Sequence, residues 1–367
     1  MLFRSPYFNL GNAFAASGRI EEASEIYRQS LRIFPGHSKA HDNLGRSLFI
    51  RGRTDEAMEE FRKAVELEPG FAAAHYNLAR TLERKGRLSD AIKEYKEAIK
   101  NDEKFAVAYY DLGNAYFNRG QHKEAVEQYR QAVKIEPSYA AAYYNMGNAL
   151  LKLGNAGGAI EQYRLAIKYD KRYAEAYLNL GDALEVQGET EEAMRQYRRA
   201  VEVGPQYAQG HYNLGNAYLK QREIEQAIEE YRRAIKIDPR YMDARTNLGL
   251  ALDVAGKKDE AEEQYLEALK IDSRHGPTRF NLGLLLKDRG DMTGAMEQFR
   301  KVIEINAGDA EAHYQLGRIL AGTGRANEAA AEYREALRIE PSFTRARQSL
   351  GQLAGTERIK EDGGTSK

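Results

Sequence analysis

The sequence predicts an all-α protein, an α-solenoid of about ten 34-residue helical hairpins followed by a C-terminal capping helix. A Leu-Gly pair or a close variant of it returns every 34 residues, from Leu10-Gly11 to Leu350-Gly351, without a slip. If Arg4 is numbered position 1, alanine occupies position 20 and an aromatic residue occupies position 24 in all ten full repeats. A fixed period of this length indicates stacked copies of one helical unit rather than two or three globular domains.

The repeats follow one another without linkers. Their predicted bounds are 4–37, 38–71, 72–105, 106–139, 140–173, 174–207, 208–241, 242–275, 276–309 and 310–343. Residues 344–355 repeat only the first helix, so they predict a capping helix with a polar outer side. Residues 356–367 predict a disordered tail.

Each repeat is predicted to be two helices joined by a tight turn. Positions 4, 7, 8 and 11 fall in one arc at about 100° per residue, and positions 20, 24 and 27 form the facing stripe of a second helix. Glycine at position 8 and alanine at position 20 let the backbones approach, and the aromatic residue at position 24 fills the space beside them. Glycine at position 15 ends the first helix, although Arg222 replaces it in the seventh repeat. Proline at position 32 stops the second helix in most repeats.

Stacking of the hairpins is required by their size. One hairpin alone cannot bury enough apolar surface to offset about 1 to 2 kcal/mol of backbone entropy per ordered residue. The predicted core is therefore continuous from repeat to repeat, and each repeat depends on its neighbours.

The repeat motif resembles the tetratricopeptide repeat, over residues 4–355. The resemblance rests on the Leu-Gly pair, the residues at positions 20 and 24, a small residue at position 27 in most repeats, and the closing prolines Pro35, Pro69, Pro137, Pro205, Pro239 and Pro341. It implies a right-handed superhelix whose concave surface is lined mainly by the first helices, and a role in protein binding.

The composition narrows the class of partner and the compartment. Lys plus Arg and Asp plus Glu number 55 each, so the chain has no net field to attract nucleic acid or an anionic membrane. It has no cysteine, which fits a reducing compartment, and no apolar run long enough for a signal peptide or a membrane span. We therefore predict a cytoplasmic protein that binds neither nucleic acid nor membranes.

No catalytic or cofactor-binding motif is present in the sequence. It lacks the HExxH, P-loop, GxSxG and dinucleotide-binding patterns. The histidines His41, His75, His211 and His313 all occupy position 4, on the face that meets the second helix, so we expect them to pack or to form hydrogen bonds rather than to bind metal. The prediction is a protein that is not an enzyme and has no cofactor or metal site.

Position 6 carries an asparagine in eight of the ten repeats, which is the strongest candidate for a binding function. These residues are Asn9, Asn43, Asn77, Asn145, Asn179, Asn213, Asn247 and Asn281; Asp111 and Gln315 interrupt the series. Position 6 lies about 180° from the face that packs on the second helix, so its side chains are expected to line the groove. Asparagine inside a helix costs up to about 0.7 kcal/mol relative to alanine, so a compensating role is expected.

Two interpretations of the asparagines stay open. In the first, each amide binds a neighbouring tyrosine or carbonyl and keeps the repeats in register. In the second, the row of amides binds the backbone of an extended peptide, helped by aromatic residues at position 5. The position 5 aromatic residues are Phe8, Tyr76, Tyr110, Tyr144, Tyr212, Phe280 and Tyr314. The row resembles the asparagines of the repeat superhelix of O-linked N-acetylglucosamine transferase, which implies the second interpretation.

Charge along the predicted groove is uneven. Arg46, Arg80 and Arg84 make its early part basic, whereas the sixth and eighth repeats carry Glu175, Asp182, Glu185, Asp243 and Asp253. Such a distribution can orient a ligand of mixed charge, and it is equally typical of a solvated face.

The sequence therefore predicts a non-catalytic scaffold that binds an extended peptide of a partner protein along its groove. One alternative is the substrate-recruiting part of a glycosyltransferase or of another enzyme whose catalytic domain lies outside this chain. A second is a self-associating or engineered repeat scaffold. Phe3 and Phe8 are expected to be partly exposed at the amino end, where a partner or a second copy could pack.

Overall fold

The protein is helical throughout the residues that the computed structural model describes, which are 6–362, with side chains described for 6–353. Within that range there are 21 helices and no strand, so the all-α prediction is confirmed. The helices are α1 Pro6–Ala16, α2 Ile20–Ile33, α3 Ser38–Ile50, α4 Thr54–Leu67, α5 Ala72–Arg84, α6 Leu88–Asn101, α7 Ala106–Asn118, α8 His122–Ile135, α9 Ala140–Lys152, α10 Ala156–Tyr169, α11 Ala174–Val186, α12 Thr190–Val203, α13 Ala208–Lys220, α14 Ile224–Ile237, α15 Met242–Val254, α16 Lys258–Ile271, α17 Gly276–Asp288, α18 Met292–Ile305, α19 Ala310–Gly322, α20 Ala326–Ile339 and α21 Thr344–Asp362.

The chain forms two compact units, Met1–Gln196 and Tyr197–Lys367. In the first unit α1 to α11 each pack on the next helix along the chain, and in the second unit α13 to α21 do the same. In both units first helices of neighbouring repeats also touch, as α3 touches α5 and α13 touches α15. This is the contact pattern of a stacked repeat array. The right-handed superhelix stays a prediction.

In eight of the hairpins the aromatic residue at position 24 lies directly against the glycine at position 8. A Cβ placed on Gly147 would lie 2.6 Å from Cε1 of Tyr163, and one on Gly113 would lie 2.6 Å from Cε1 of Tyr129. The alanines at position 20 are fully buried. The sequence predicted close helix approach, and the structure shows that the ring lies over the glycine rather than beside it.

The turn between the two helices uses a left-handed residue at position 15 in every repeat. Nine of the ten are glycines with φ between 73° and 86°, and the tenth is Arg222 with φ of 62°. The following N–H bonds back to the fifth residue before it, as from Glu223 to Tyr218 O at 3.0 Å. This is the Schellman arrangement, which satisfies carbonyls at the helix end.

Replacing Arg222 with glycine is expected to stabilise the protein by about 1 kcal/mol, because a left-handed backbone costs a non-glycine residue about 1–2 kcal/mol. Urea denaturation followed by circular dichroism measures the change. Arg119→Gly is the matched control, since Arg119 has φ of −84° at the end of α7 and should lose stability. A destabilised Arg222→Gly variant would contradict the expectation.

Three of the four position 4 histidines connect their repeat to the end of the one before it. The Nδ1 atom of His75 lies 2.6 Å from Glu94 Oε2, and its Nε2 atom lies 3.0 Å from the carbonyl oxygen of Pro69. His41 and His211 have the same two kinds of neighbour. His313 contacts Glu332 through Nδ1, but its Nε2 is buried without a partner among the described residues. The predicted hydrogen-bonding role of these histidines is confirmed.

His75 is expected to contribute stability that is present at low pH and is lost as the pH rises. Both ring nitrogens of His75 face acceptors, so the arrangement favours the doubly protonated ring. The Glu94 hydrogen bond raises the pKa of His75 above its ordinary value of about 6.5. A raised folded-state pKa means that the stabilisation is fully present below about pH 6.5 and is lost as the pH passes the folded-state pKa.

Urea midpoints at several pH values from 5.5 to 9 measure this dependence. His75→Gln should flatten the part of the curve that His75 contributes. An unchanged pH dependence in the variant would show that His75 does not carry it.

The last helix is longer than the sequence predicts. Residues 344–355 were expected as a capping helix and 356–367 as a disordered tail, but α21 runs from Thr344 to Asp362. The helix therefore continues seven residues past the predicted boundary at residue 355. Leucine-poor, charged residues can remain helical when they extend an existing helix, because propagation is easier than nucleation. Residues 363–367, like the predicted exposed Phe3, lie outside the described residues.

Candidate peptide-binding surface

Side-chain amides on the first helices join neighbouring repeats. Nδ2 of Asn145 donates to Oδ1 of Asn114 in the preceding repeat, at 2.9 Å, and that oxygen also accepts from the Tyr129 hydroxyl at 2.8 Å. Nδ2 of Asn145 is also 3.0 Å from the Tyr110 hydroxyl oxygen. We call this arrangement the amide junction: a position 9 acceptor shared by the position 24 tyrosine of its own repeat and the position 6 asparagine of the next.

The amide junction recurs along both units. The other copies are Asn12 with Tyr27 and Asn43, Asn148 with Tyr163 and Asn179, and Asn216 with Tyr231 and Asn247. Donor–acceptor distances in these copies range from 2.7 to 2.9 Å. The Nδ2 atoms of these asparagines therefore bond to the neighbouring repeat, as the first interpretation of the asparagines expects.

The opposite side of the same amides remains available. Asn145, Asn179 and Asn247 are half-buried, and their Oδ1 atoms accept no hydrogen bond from any residue in the described part of the chain. Each amide is thus held in a fixed orientation by its nitrogen and keeps a free acceptor oxygen. That combination suits binding of a peptide N–H group.

The remaining position 6 residues vary in their surroundings. Asn77 donates to Asp42 Oδ1 at 2.8 Å, and Asn213 accepts from Gln209 at 2.8 Å. Asn9 is exposed, and Asn281 is half-buried. Asp111, which interrupts the series, accepts a hydrogen bond from the Tyr76 hydroxyl at 2.8 Å. The asparagine Asn145, by contrast, donates to the equivalent tyrosine hydroxyl, that of Tyr110.

The position 5 tyrosines pack against other aromatic rings of their own repeat rather than lying freely on the surface. Tyr110 packs against Tyr129 and Tyr139 at 5.9 and 4.9 Å between ring centroids. The same pair of contacts is made by Tyr76, Tyr144, Tyr212 and Tyr314 in their own repeats. Tyr314 is buried and the others are half-buried, so their first role is packing, with only an edge left for a ligand.

A cleft of about 400 Å³ lies beside the amide junction of the fourth and fifth repeats. Its lining is mostly polar, with two aromatic side chains: Glu83, Asn114, Phe117, Asn118, Tyr129, Asn145 and Asn148. The structure thus brings Asn145 next to three further amides that the sequence had not singled out. A cleft of this size and polarity fits a short stretch of polypeptide.

One amide junction is incomplete, in the eighth repeat. Leu250 occupies position 9 there, so the hydroxyl of the fully buried Tyr265 has no partner among the described residues. The amide of Asn281, in the next repeat, likewise has none there. Both donors would share the acceptor that the other repeats supply at position 9.

Position 9 is the part of this surface that sequence reasoning missed. A signal was nevertheless present. Position 9 is not an amide in the two repeats whose position 24 residue is phenylalanine, Arg46 with Phe61 and Leu284 with Phe299. A phenylalanine has no hydroxyl that needs an acceptor.

No group of three potential metal ligands occurs among the residues whose side chains are described. None of the helices in the described range combines the length and apolar character that crossing a bilayer requires.

Family models match most of the chain. The model described as TPR repeat matches residues 113–154, 147–188 and 186–222. Models described as tetratricopeptide repeat match 8–70, 44–106, 94–127, 212–275 and 286–353. No curated protein matches the chain significantly.

Similar solved structures include YrrB, described as a TPR protein with an unusual peptide-binding site. It is 30% identical, with 51% of this chain and 96% of YrrB covered at a TM-score of 0.43. MamA is 27% identical, with 45% and 96% covered at a TM-score of 0.42. The C-terminal part of a TPR repeat-containing protein from Cytophaga hutchinsonii is 16% identical, with 65% and 97% covered at 0.55, which supports the fold alone. The sequence period, the stacked hairpins and the family models together show that this chain belongs to the tetratricopeptide repeat family.

Proposed function

We propose that this protein is a non-catalytic scaffold that binds an extended segment of a partner protein across its first helices, with the position 6 asparagines contacting the peptide backbone. Proteins of this family are typically interaction scaffolds. The peptide-backbone part of the proposal depends on one observation about Asn145, Asn179 and Asn247. The Nδ2 atom of each is hydrogen-bonded to the neighbouring repeat, whereas its Oδ1 atom has no partner among the described residues.

Fixed orientation favours binding because less freedom is lost when the ligand arrives. Nδ2 of Asn179 is held by two acceptors, Asn148 Oδ1 at 2.9 Å and the Tyr144 hydroxyl at 3.1 Å. Its Oδ1 is therefore pre-oriented. Backbone N–H groups recur along any extended peptide, so successive amides can bind a segment without reading its sequence.

The cleft beside Asn145 supports the same proposal. Its lining offers amide donors and acceptors together with the ring of Phe117. A peptide carbonyl can accept from an amide there while an apolar side chain packs on the ring. The likeness to the groove of O-linked N-acetylglucosamine transferase, and the alternative of an enzyme's recruiting region, stay predictions.

The test separates binding from stacking. Partner proteins captured from an extract are cut into overlapping labelled peptides, and fluorescence anisotropy measures their affinity. The double variant Asn145→Ala with Asn179→Ala should weaken peptide binding at least about fivefold, since two lost hydrogen bonds at about 0.5–1.5 kcal/mol each total about 1–3 kcal/mol. Urea denaturation checks that the variant is folded.

The matched control is Tyr163→Phe with Tyr231→Phe, two tyrosines that do not line the cleft. It removes two hydrogen bonds from amide junctions and leaves the Asn145 and Asn179 amides in place. Binding in this control should stay within about twofold of the wild type. Equal losses in both double variants would show that the asparagines serve stacking alone.

We also propose that the amino end takes part in self-association. Leu10 is 44% exposed, whereas its position 7 equivalents Leu44, Leu78 and Leu112 are 2–4% exposed. Tyr7 and Phe34, in the same repeat as Leu10, are also exposed. Light scattering across a concentration series should show a rising mass that Leu10→Glu abolishes; a constant wild-type mass would contradict self-association.

The absence of cysteine fits a reducing compartment, so the proposal places the scaffold in the cytoplasm.

A further inference from the structure

Three arginines on the first helices of the second and third repeats have no ion-pair partner among the described residues. Arg46 lies on α3, and Arg80 and Arg84 lie on α5. All three are exposed. Most arginines on the second helices, by contrast, pair with a carboxylate three or four residues away, as Arg62 does with Glu59. Unpaired arginines on a surface proposed to bind peptide need a separate explanation.

Aromatic rings hold two of these arginines in place. The guanidinium carbon of Arg84 lies 4.9 Å from the centroid of Phe49, and that of Arg80 lies 5.7 Å from the same ring. Arg80 is also 5.7 Å from the Tyr76 ring. Two cations on one phenyl ring repel each other, and stacking on the ring leaves the N–H edges free for an anion.

In the repeats that carry Arg46 and Arg80, the donors of the amide junction bond to other acceptors. Arg46 and Arg80 occupy position 9, where other repeats supply the shared acceptor. Asn77 donates instead to Asp42, and the Tyr95 hydroxyl donates to Glu83 at 2.9 Å. The position 9 arginines therefore take no part in these hydrogen bonds, because carboxylates at other positions, Asp42 and Glu83, act as the acceptors instead.

Nearby carboxylates form no ion pair with the arginines, although Asp42 is close enough to Arg46, and Glu83 and Asp111 to Arg80, for their charges to interact. Asp42 is buried and Glu83 and Asp111 are half-buried, and each already accepts a hydrogen bond, from Asn77, Tyr95 and Tyr76 respectively. None lies within ion-pair distance of the three arginines. The exposed layer that a ligand would touch is thus cationic, while the acidic groups lie beneath it.

We infer that Arg46, Arg80 and Arg84, with Phe49 and Tyr76, form a binding site for the side-chain carboxylates of an acidic stretch in the partner peptide. The inference rests on the proposed function and adds the chemistry of its ligand. Guanidinium groups bind carboxylates in a bidentate manner, and their stacking on aromatic rings orients them for it. The site fixes which end of an extended ligand lies at the second and third repeats.

The test uses fluorescein-labelled 16-residue peptides in a Gly-Ser background that carry four Glu, four Gln or four phosphoserine residues, together with a labelled single-stranded oligonucleotide. Anisotropy at low and high salt measures binding to the whole chain. The Glu peptide should bind at least tenfold more tightly than the Gln peptide at low salt, and the difference should shrink in high salt.

The triple variant R46Q, R80Q and R84Q should remove the preference for the Glu peptide. The matched control changes three arginines of the second helices by the same total charge, R130Q, R164Q and R195Q, and should keep it. Urea denaturation confirms that both variants are folded.

Three outcomes would overturn the inference. The first is equal binding of the Glu and Gln peptides, and the second is an equal loss of preference in both triple variants. The third is tight binding of the phosphoserine peptide or the oligonucleotide without the Glu peptide. The proposed function is tested separately, because Asn145→Ala with Asn179→Ala should weaken the Glu and Gln peptides alike. If the arginine effect persists while this double variant has none, the backbone proposal fails and the carboxylate site stands.

Discussion

Gly147→Leu is expected to destabilise the fifth repeat by about 3 kcal/mol or more, the largest single effect that the structure predicts. A Cβ at this position would lie 2.6 Å from Cε1 of Tyr163, a ring with 0% exposure, so neither side chain can move aside into solvent. Overpacking a filled core typically costs 1–3 kcal/mol, and here the whole leucine side chain would have to displace the ring. Hydrogen exchange should show α9 and α10 losing protection before distant helices, because each repeat is stabilised by its neighbours.

Two comparisons calibrate this expectation. Gly147→Ala should cost less than the leucine variant, because the third repeat already carries Ala79 at position 8, fully buried in the same hairpin as Tyr95. Gly322→Ala, at a helical glycine with no atom within 4 Å of the added Cβ, should be neutral or slightly stabilising. If Gly147→Leu proved as stable as Gly322→Ala, the close contact between glycine and ring would not govern this hairpin.

A reciprocal exchange at position 9 is expected to change stability in opposite directions. Asn148→Leu removes the acceptor shared by the Tyr163 hydroxyl and Asn179 Nδ2, and a buried unpaired donor costs about 1–3 kcal/mol. Leu250→Asn should supply the missing acceptor to Tyr265 and Asn281, and so gain about 1 kcal/mol. Denaturation curves of the two single variants measure both changes.

Tyrosine-to-phenylalanine variants identify the hydroxyl as the cause. Tyr265→Phe should be neutral or stabilising, because it removes a hydroxyl that is buried without a partner in the described chain. Tyr231→Phe should cost about 1 kcal/mol, because its hydroxyl donates to Asn216 Oδ1 at 2.7 Å. If both variants lost the same stability, the ring environment rather than the hydrogen bond would explain the loss.

The sequence by itself determined the repeat, its two helices, the turn glycines and the family. These features depend on local signals: a strict 34-residue period, glycine where φ must be positive, and small residues where backbones approach. Arg222 was visible as an exception in the sequence, and its left-handed φ follows from the register of the turn. Local patterns of this kind need no knowledge of which repeats touch.

Only the tertiary structure decided how the groove residues divide their hydrogen bonds. Asn145 and Asn114 are 31 residues apart and meet because consecutive repeats stack, so periodicity within one helix could not reveal their contact. The period predicted that Asn145 faces the groove, but it could not show that its nitrogen is held while its oxygen accepts no hydrogen bond from the described residues. Arg80 and Arg84 likewise share the ring of Phe49 from the preceding repeat, a contact that stacking of the repeats creates.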